Sequence, residues 1–386
     1  MFASELEQVE RAEPWVRHAE AQLARAGANG TIEHAALLQN AASVHSELGD
    51  PLRAEQLLRE ALDIRLRLEP DDSRGASTLR NNLGTLLSDR GRFEEALALH
   101  RLVRASRVAR LGPVHPDVAM SDINLAHVLA LAGRYREALV HIEQARPVIA
   151  DTVGTFTPMM ATVRSVRGAV LLYLGLNDLA HLDFQSVLVF RIARLGPGHS
   201  SVGSAWNLVG AALDRPGEGE DAVRFFHRAL AIQAGAGGGW VAQSILTRLN
   251  IGMTLLRLDR VREAEQIMRP AFEELQRTIL PGDPDLVQGT IQIGRLELAL
   301  GHPQRALELF DRAQVLERTF HPAKDERPTV AFQRARALWE LGRDRPTAHA
   351  MVRAARVPIA AEAEGRTAEL RDIDQWLAEH PHPDSK

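Results

Sequence analysis

The chain of 386 residues contains no cysteine. That absence excludes a disulfide framework, thiolate zinc sites and a cysteine nucleophile. Lysine is nearly missing too: Lys324 and Lys386 are the only two, so 44 of the 46 basic residues are arginine. Tyrosine and asparagine are scarce, at two and eight residues, a bias typical of a GC-rich bacterial coding sequence that makes each asparagine worth locating. Charge of one sign is lacking as well. A net charge of −4 provides no basic field for nucleic acid or a membrane surface. No apolar run approaches the roughly 18 residues of a membrane span, and the acidic start MFASELEQVERAEP is unlike a signal peptide. These absences describe a soluble, cytoplasmic chain without nucleic-acid or membrane partners.

What is present is a period. Gly49, Gly91, Gly133, Gly175, Gly217 and Gly301 fall on a 42-residue lattice, Asp259 fills the missing place and Gly342 comes one residue early. Five residues after each turn position stands an alanine: Ala54, Ala96, Ala138, Ala180, Ala222, Ala264, Ala306 and Ala348. Twelve residues before these lie Ala42, Gly84, Ala126, Gly168, Gly210, Gly252 and Gly294, with Arg336 the exception. Each repeat reads as two antiparallel helices. The turn glycine supplies a left-handed residue that ends the first helix, and the small residues mark where the two helices cross. A single pair cannot bury its apolar face, so neighbours stack around a continuous core.

The segments NNLGTLLSDRGRFEEALALHRLV (81–103) and INLAHVLALAGRYREALVHIEQA (123–145) carry this pattern, as do the corners LGPVHPDVA (111–119) and LGPGHSSVG (195–203). In these residues the chain resembles the tetratricopeptide repeat, in the 42-residue variety of kinesin light chains and bacterial regulatory proteins. The resemblance covers about residues 33–356 and implies an all-α, right-handed solenoid of eight repeats. The organisation read from it is an N-terminal capping helix or half repeat (1–32), repeats one to five (33–234), a glycine-rich corner (235–239), repeats six to eight (240–361), and a C-terminal capping helix and tail (362–386). The corner GAGGGW is either a tolerated loop or a hinge between two half-solenoids. Thr157-Pro158 and Asp283-Pro284 read as N-caps before a proline at the first helical position. At the C-terminal end, Leu370, Ile373, Trp376 and Leu377 form one apolar stripe.

The resemblance also implies that the first helix of each pair lines a concave groove. Six of the eight asparagines, Asn40, Asn81, Asn82, Asn124, Asn207 and Asn250, fall on that helix's groove-facing stripe, although the composition disfavours asparagine. Their amides can hold an extended peptide backbone without demanding a particular sequence, or else bond neighbouring helices and set the superhelix pitch. Around them the stripe is polar at first, with Thr78, Thr85 and His127. It turns apolar at Leu246, Leu249 and Met253, then polar and basic at Gln292, Arg295 and Arg334. Such a grading suits a segment with an apolar centre and an acidic or carboxylate end, although the lysines of a carboxylate clamp are absent. The apolar middle could equally pack against another chain, including a second copy.

Enzyme motifs are missing. The sequence has no HExxH, GxSxG or GxxxxGK[ST], and no GxGxxG follows a strand pattern. His115 and His199 occupy equivalent corners 84 residues apart, which suits capping and excludes a shared metal. The sequence therefore reads as a non-enzymatic module, without cofactor or metal, that binds a peptide or protein in its groove. The alternative is a sensory region whose pitch responds to a ligand and controls an associated kinase, protease or transcription factor.

Overall fold

The computed structural model describes residues 14–16, 18, 19, 21–48, 50–235, 241–278, 284–320, 328–362 and 368–382. Among them there is no strand. The chain divides into two compact units, Met1–Val166 and Arg167–Lys386. Gly49, Asp283 and the corner at 236–240 lie outside the described residues.

The first unit contains α1 (Ile32–Glu47), α2 (Pro51–Leu68), α3 (Arg74–Asp89), α4 (Phe93–Leu111), α5 (Pro116–Leu131) and α6 (Tyr135–Thr152). They pack as the pairs α1–α2, α3–α4 and α5–α6, with α3 also against α5. Short polar residues open these helices. Thr31, Asp50 and Ser73 each accept a hydrogen bond from a first-turn backbone N–H, which satisfies a donor left free at the helix start. His115 caps α5 with its ring, whose Nδ1 accepts from the Asp117 N–H at 3.1 Å. Residues 14–16, 18, 19 and 21–25 are helical, as the N-terminal segment predicts, and Trp15 is 73% exposed.

Helix α7 (Pro158–Tyr173) carries the division between the units, and Thr157 caps it as its sequence predicts, through the Met160 N–H at 3.3 Å. The second unit continues with α8 (Asn177–Leu195), α9 (Ser200–Ala212), α10 (Gly219–Gly235), α11 (Val241–Arg257) and α12 (Val261–Thr278). It ends with α13 (Pro284–Ala299), α14 (Pro303–Phe320), α15 (Pro328–Glu340), α16 (Arg345–Glu362) and α17 (Ala368–Glu379). The pairs are α9–α10, α11–α12, α13–α14 and α15–α16, and the first helices α9, α11, α13 and α15 adjoin in sequence. His199 repeats the ring cap of His115, accepting from the Ser201 N–H at 3.2 Å.

The lattice glycines behave as the period requires. Gly91 has φ +72°, and Asp259, in the place without a glycine, still adopts φ +59°. All eight lattice alanines are buried, none more than 1% exposed. The small residues twelve positions earlier explain themselves by what they face. A Cβ on Gly210 would stand 2.8 Å from Phe226 Cε1, and Gly168, Gly252 and Gly294 are filled in the same way by Phe184, Met268 and Phe310. The missing side chain on the first helix thus makes room for a large one sixteen residues later on the second, at interior packing density.

Successive repeats are also tied by ions. Arg134, directly after Gly133, donates to Glu137 of its own helix at 2.5 Å and to Glu94 of the preceding repeat at 3.1 Å. Arg260, after Asp259, does the same with Glu263 at 2.7 Å and Glu220 at 3.1 Å. Each pair is exposed and contributes at most about 1 kcal/mol, but the repetition holds neighbouring repeats in register.

Of the C-terminal stripe, Leu370 is buried, Ile373 and Trp376 pack against α15 and α16, and Trp376 meets Trp339 edge-on with ring centroids 5.2 Å apart.

Candidate partner-binding face

The adjacent asparagines of α3 have different surroundings. Asn81 points along the row of first helices: its Oδ1 accepts from Asn124 Nδ2 of α5 at 2.7 Å. The second unit repeats this link with the same 43-residue offset, Asn250 Nδ2 donating to Asn207 Oδ1 at 3.4 Å. Four of the six asparagines therefore join neighbouring first helices, as the pitch-setting reading expects. A bridge of this kind needs two residues 43 apart on consecutive first helices, and only these two pairs of asparagines have that spacing.

Asn82 has no side-chain hydrogen-bond partner among the described residues and is half-buried. It lines a cavity of about 340 Å³ between α1, α2 and α3, together with Ser43, Ser46, Thr85 and Asp89. Ala42, Ala54, Leu58 and Leu86 form the apolar part of the wall. The hydroxyls of Thr78, Thr85 and Ser43 donate back to carbonyls four residues earlier in their own helices, at 2.9, 3.1 and 3.4 Å. Their oxygens still have lone pairs to offer. Asn40 is exposed on α1. His127 is exposed on α5; the protein mass around it lowers its pKa from the ordinary imidazole value, and Asp89 opposes that shift.

Further along, the structure corrects the predicted stripe. Leu249 is fully buried and Met253 is 6% exposed, both within the core formed by α10 to α13. Gln292 is 8% exposed, with its Oε1 unpartnered. These three side chains pack inward, because in the second unit the adjoining first helices close over positions that the groove pattern leaves open. Only Leu246 of the apolar set keeps partial exposure. The arginines of the basic end are paired. Arg295 Nη2 lies 3.3 Å from Asp372 of α17, and Arg334 Nε donates to Asp311 of α14 at 2.8 Å. Both carboxylates come from segments whose position no local pattern reveals.

One second-helix histidine has structural partners. His141 Nδ1 lies 2.8 Å from Asp122 of its paired helix, and Arg104 Nε donates to the same oxygen at 2.7 Å. Among the described residues no cluster of histidine and carboxylate side chains is arranged to hold a metal ion, and no helix is long and apolar enough to cross a membrane.

Helix pairs stacked one after another within each unit define the fold class: an all-α array of helical repeats. Residues 34–74 and 75–151 match family models of the tetratricopeptide repeat. The two matches together span residues 34–151, under a third of the chain. No curated sequence matches it significantly. Among solved structures, the apo form of RapI is similar at 11% identity and TM-score 0.58, over 75% of this chain and 99% of that one. A Rap protein complexed with competence and sporulation factor is similar at 13% identity and TM-score 0.52, over 98% and 100% of the two chains. TPR-like repeats assigned to a kinesin light chain from Podosopora anserina match at 18% identity and TM-score 0.38, over 64% and 98%. For the two Rap structures the likeness is one of fold.

Proposed function

We propose that the chain is a non-catalytic, cytoplasmic module that binds a peptide or an extended segment of a partner protein on the first-helix face of its N-terminal repeats. The observation that carries this reading is the Asn82 cavity. Asn82 combines an unpartnered donor and acceptor with the hydroxyls of Ser43, Ser46 and Thr85 around a space of about 340 Å³. A peptide backbone presents the same alternation of N–H and C=O, so a side-chain amide can satisfy it without reading its sequence. That a Rap protein of similar fold forms a complex with competence and sporulation factor supports a bound partner by analogy of fold alone.

The two neighbouring asparagines provide the test. Asn81→Ala removes the acceptor of the Asn124 amide and is expected to cost about 1 kcal/mol of stability, the net worth of a typical hydrogen bond. Asn82→Ala breaks no internal bond and introduces a better helix former, so melting is expected to stay level or rise slightly. Captured partner, recovered from a lysate of the source organism and quantified by mass spectrometry, should fall for Asn82→Ala. Undiminished recovery with that variant would refute the proposal, and a melting temperature unchanged by Asn81→Ala would refute the bridging role.

A further inference from the structure

A second cavity, of about 280 Å³, lies in the second unit, where α11, α13 and α15 meet α17. Three guanidinium groups line it, from Arg257, Arg295 and Arg336. Two of them have carboxylate partners. Arg257 pairs with Asp214 on α9–α10's connecting turn, its Nε 3.1 Å from Oδ1, and Arg295 pairs with Asp372 at 3.3 Å. Among the described residues Arg336 has no such partner. Its contacts there are the Gln333 amide oxygen, 3.2 Å from Nη1, and the ring of Phe332, 5.7 Å away. Arg336 is also the one break in the run of small residues along the first helices, and sixteen residues later its repeat has Val352 where four others have Phe184, Phe226, Met268 and Phe310. The eighth repeat has thus given up the small residue and the bulky knob together, and a cation stands at the position.

A guanidinium held partly out of water is unfavourable, and a second one nearby makes it more so. Both Arg257 and Arg336 show this. Burial, with the neighbouring charge of Arg295 added, pulls Arg257 down to about 10 and lowers Arg336 in the same sense, although Asp372 opposes both shifts and Glu340 and Glu379 also oppose the second. An anion placed among the three would relieve the repulsion. The lining also restricts which anion. Asp372 and Glu379 stand in the same wall and repel a dianion such as phosphate more than a single carboxylate. Trp376, Leu256 and Leu298 contribute an apolar surface beside the charges. The volume lies at the lower edge of the range for small-molecule sites, about 300–1,000 Å³.

We infer that this cavity is a binding site for a small organic monocarboxylate, its carboxylate held by Arg336 and Arg295 and its apolar body set against Trp376. The site lies in the other compact unit from the Asn82 cavity and does not depend on the function proposed for that face. Its acid is either a free small molecule or the carboxylate end of a chain, and the two share this recognition.

The probes are 3-phenylpropionate, its neutral amide, N-acetylphenylalanine as a chain-end mimic, and inorganic phosphate. Each is titrated into the full chain by calorimetry and tryptophan fluorescence at constant ionic strength. A carboxylate is expected to bind at least tenfold more tightly than the amide and than phosphate. Preference for 3-phenylpropionate marks a free acid and preference for N-acetylphenylalanine a chain end, and either supports the site. Arg336→Gln should weaken binding at least tenfold, and Arg336→Lys should recover part of it. Arg334→Gln, whose arginine pairs with Asp311 instead, should bind as the parent does. Melting curves of all three variants separate loss of the site from loss of fold. Equal binding of acid and amide, no binding of either carboxylate, or full affinity in a folded Arg336→Gln variant would overturn the inference.

Discussion

Truncating Phe226 to alanine is expected to cost about 3–5 kcal/mol, the range for removing a fully buried aromatic ring. Phe226 is 1% exposed and fills the space left by Gly210 at the crossing of α9 and α10. The reverse change tests the same contact from the other side. Gly210→Leu drives new atoms into the ring, because even its Cβ would stand 2.8 Å from Phe226 Cε1. It should cost about 1–3 kcal/mol or more as overpacking. Combined, the two should be less damaging than their sum, since the introduced leucine side chain then occupies the volume that the truncated ring vacates. A favourable coupling of about 0.5–3 kcal/mol is expected for residues that share one contact. Helical arrays unfold locally, so hydrogen exchange across 200–235 should be followed beside the melting curve. Strictly additive losses would show that the glycine and the ring do not define the crossing.

The second large effect is acid sensitivity centred on His100. This histidine is 2% exposed and packs against Gly84, where a Cβ would lie 2.8 Å from its Nε2. Burial, followed by the nearby His127 and Arg107 charges, lowers its pKa from 6.5 to about 4. The unfolded chain therefore binds a proton near pH 6.5 that the folded chain refuses until about pH 4. Stability from this group is complete above pH 6.5 and falls as pH drops through the window down to about 4, below which both states are protonated. The loss across the window is about 3 kcal/mol, from a shift of two to three units at 1.36 kcal/mol each. Phenylalanine already occupies the equivalent register at 184, 226 and 310, so His100→Phe is a substitution the repeat accommodates. Urea midpoints at pH 7.5, 6 and 5 should decline steeply for the parent chain and more gently for His100→Phe. Identical slopes would show that His100 does not control the acid response.

The two effects differ in how plainly the sequence announces them. The glycine-to-ring exchange follows from the lattice itself: the period places a small residue and, sixteen positions on, a large one in helix after helix. The cost of protonating His100 does not, because a histidine's burial depends on the helices around it. The ring caps of His115 and His199 lay between these cases. Their equivalent corners were visible, and the structure supplied the bond from ring nitrogen to backbone N–H.

Much of the architecture was determined by sequence alone. A 42-residue period, left-handed turn positions and alternating small and large residues specify helix pairs, since these are short-range requirements of backbone conformation and side-chain volume. The sequence also placed the asparagines on the first-helix face. It could not tell Asn81 from Asn82, because a bridge to Asn124 requires a neighbouring helix at hydrogen-bond distance. Nor could it show that Leu249 and Met253 turn into the core, or that Asp311 and Asp372 neutralise Arg334 and Arg295. Those outcomes rest on distances between residues far apart in the chain, which only the stacking of repeats decides. Arg336 stands between the two: its sequence signal was a single exception to a regular pattern, and the tertiary structure turned that exception into one wall of a cavity.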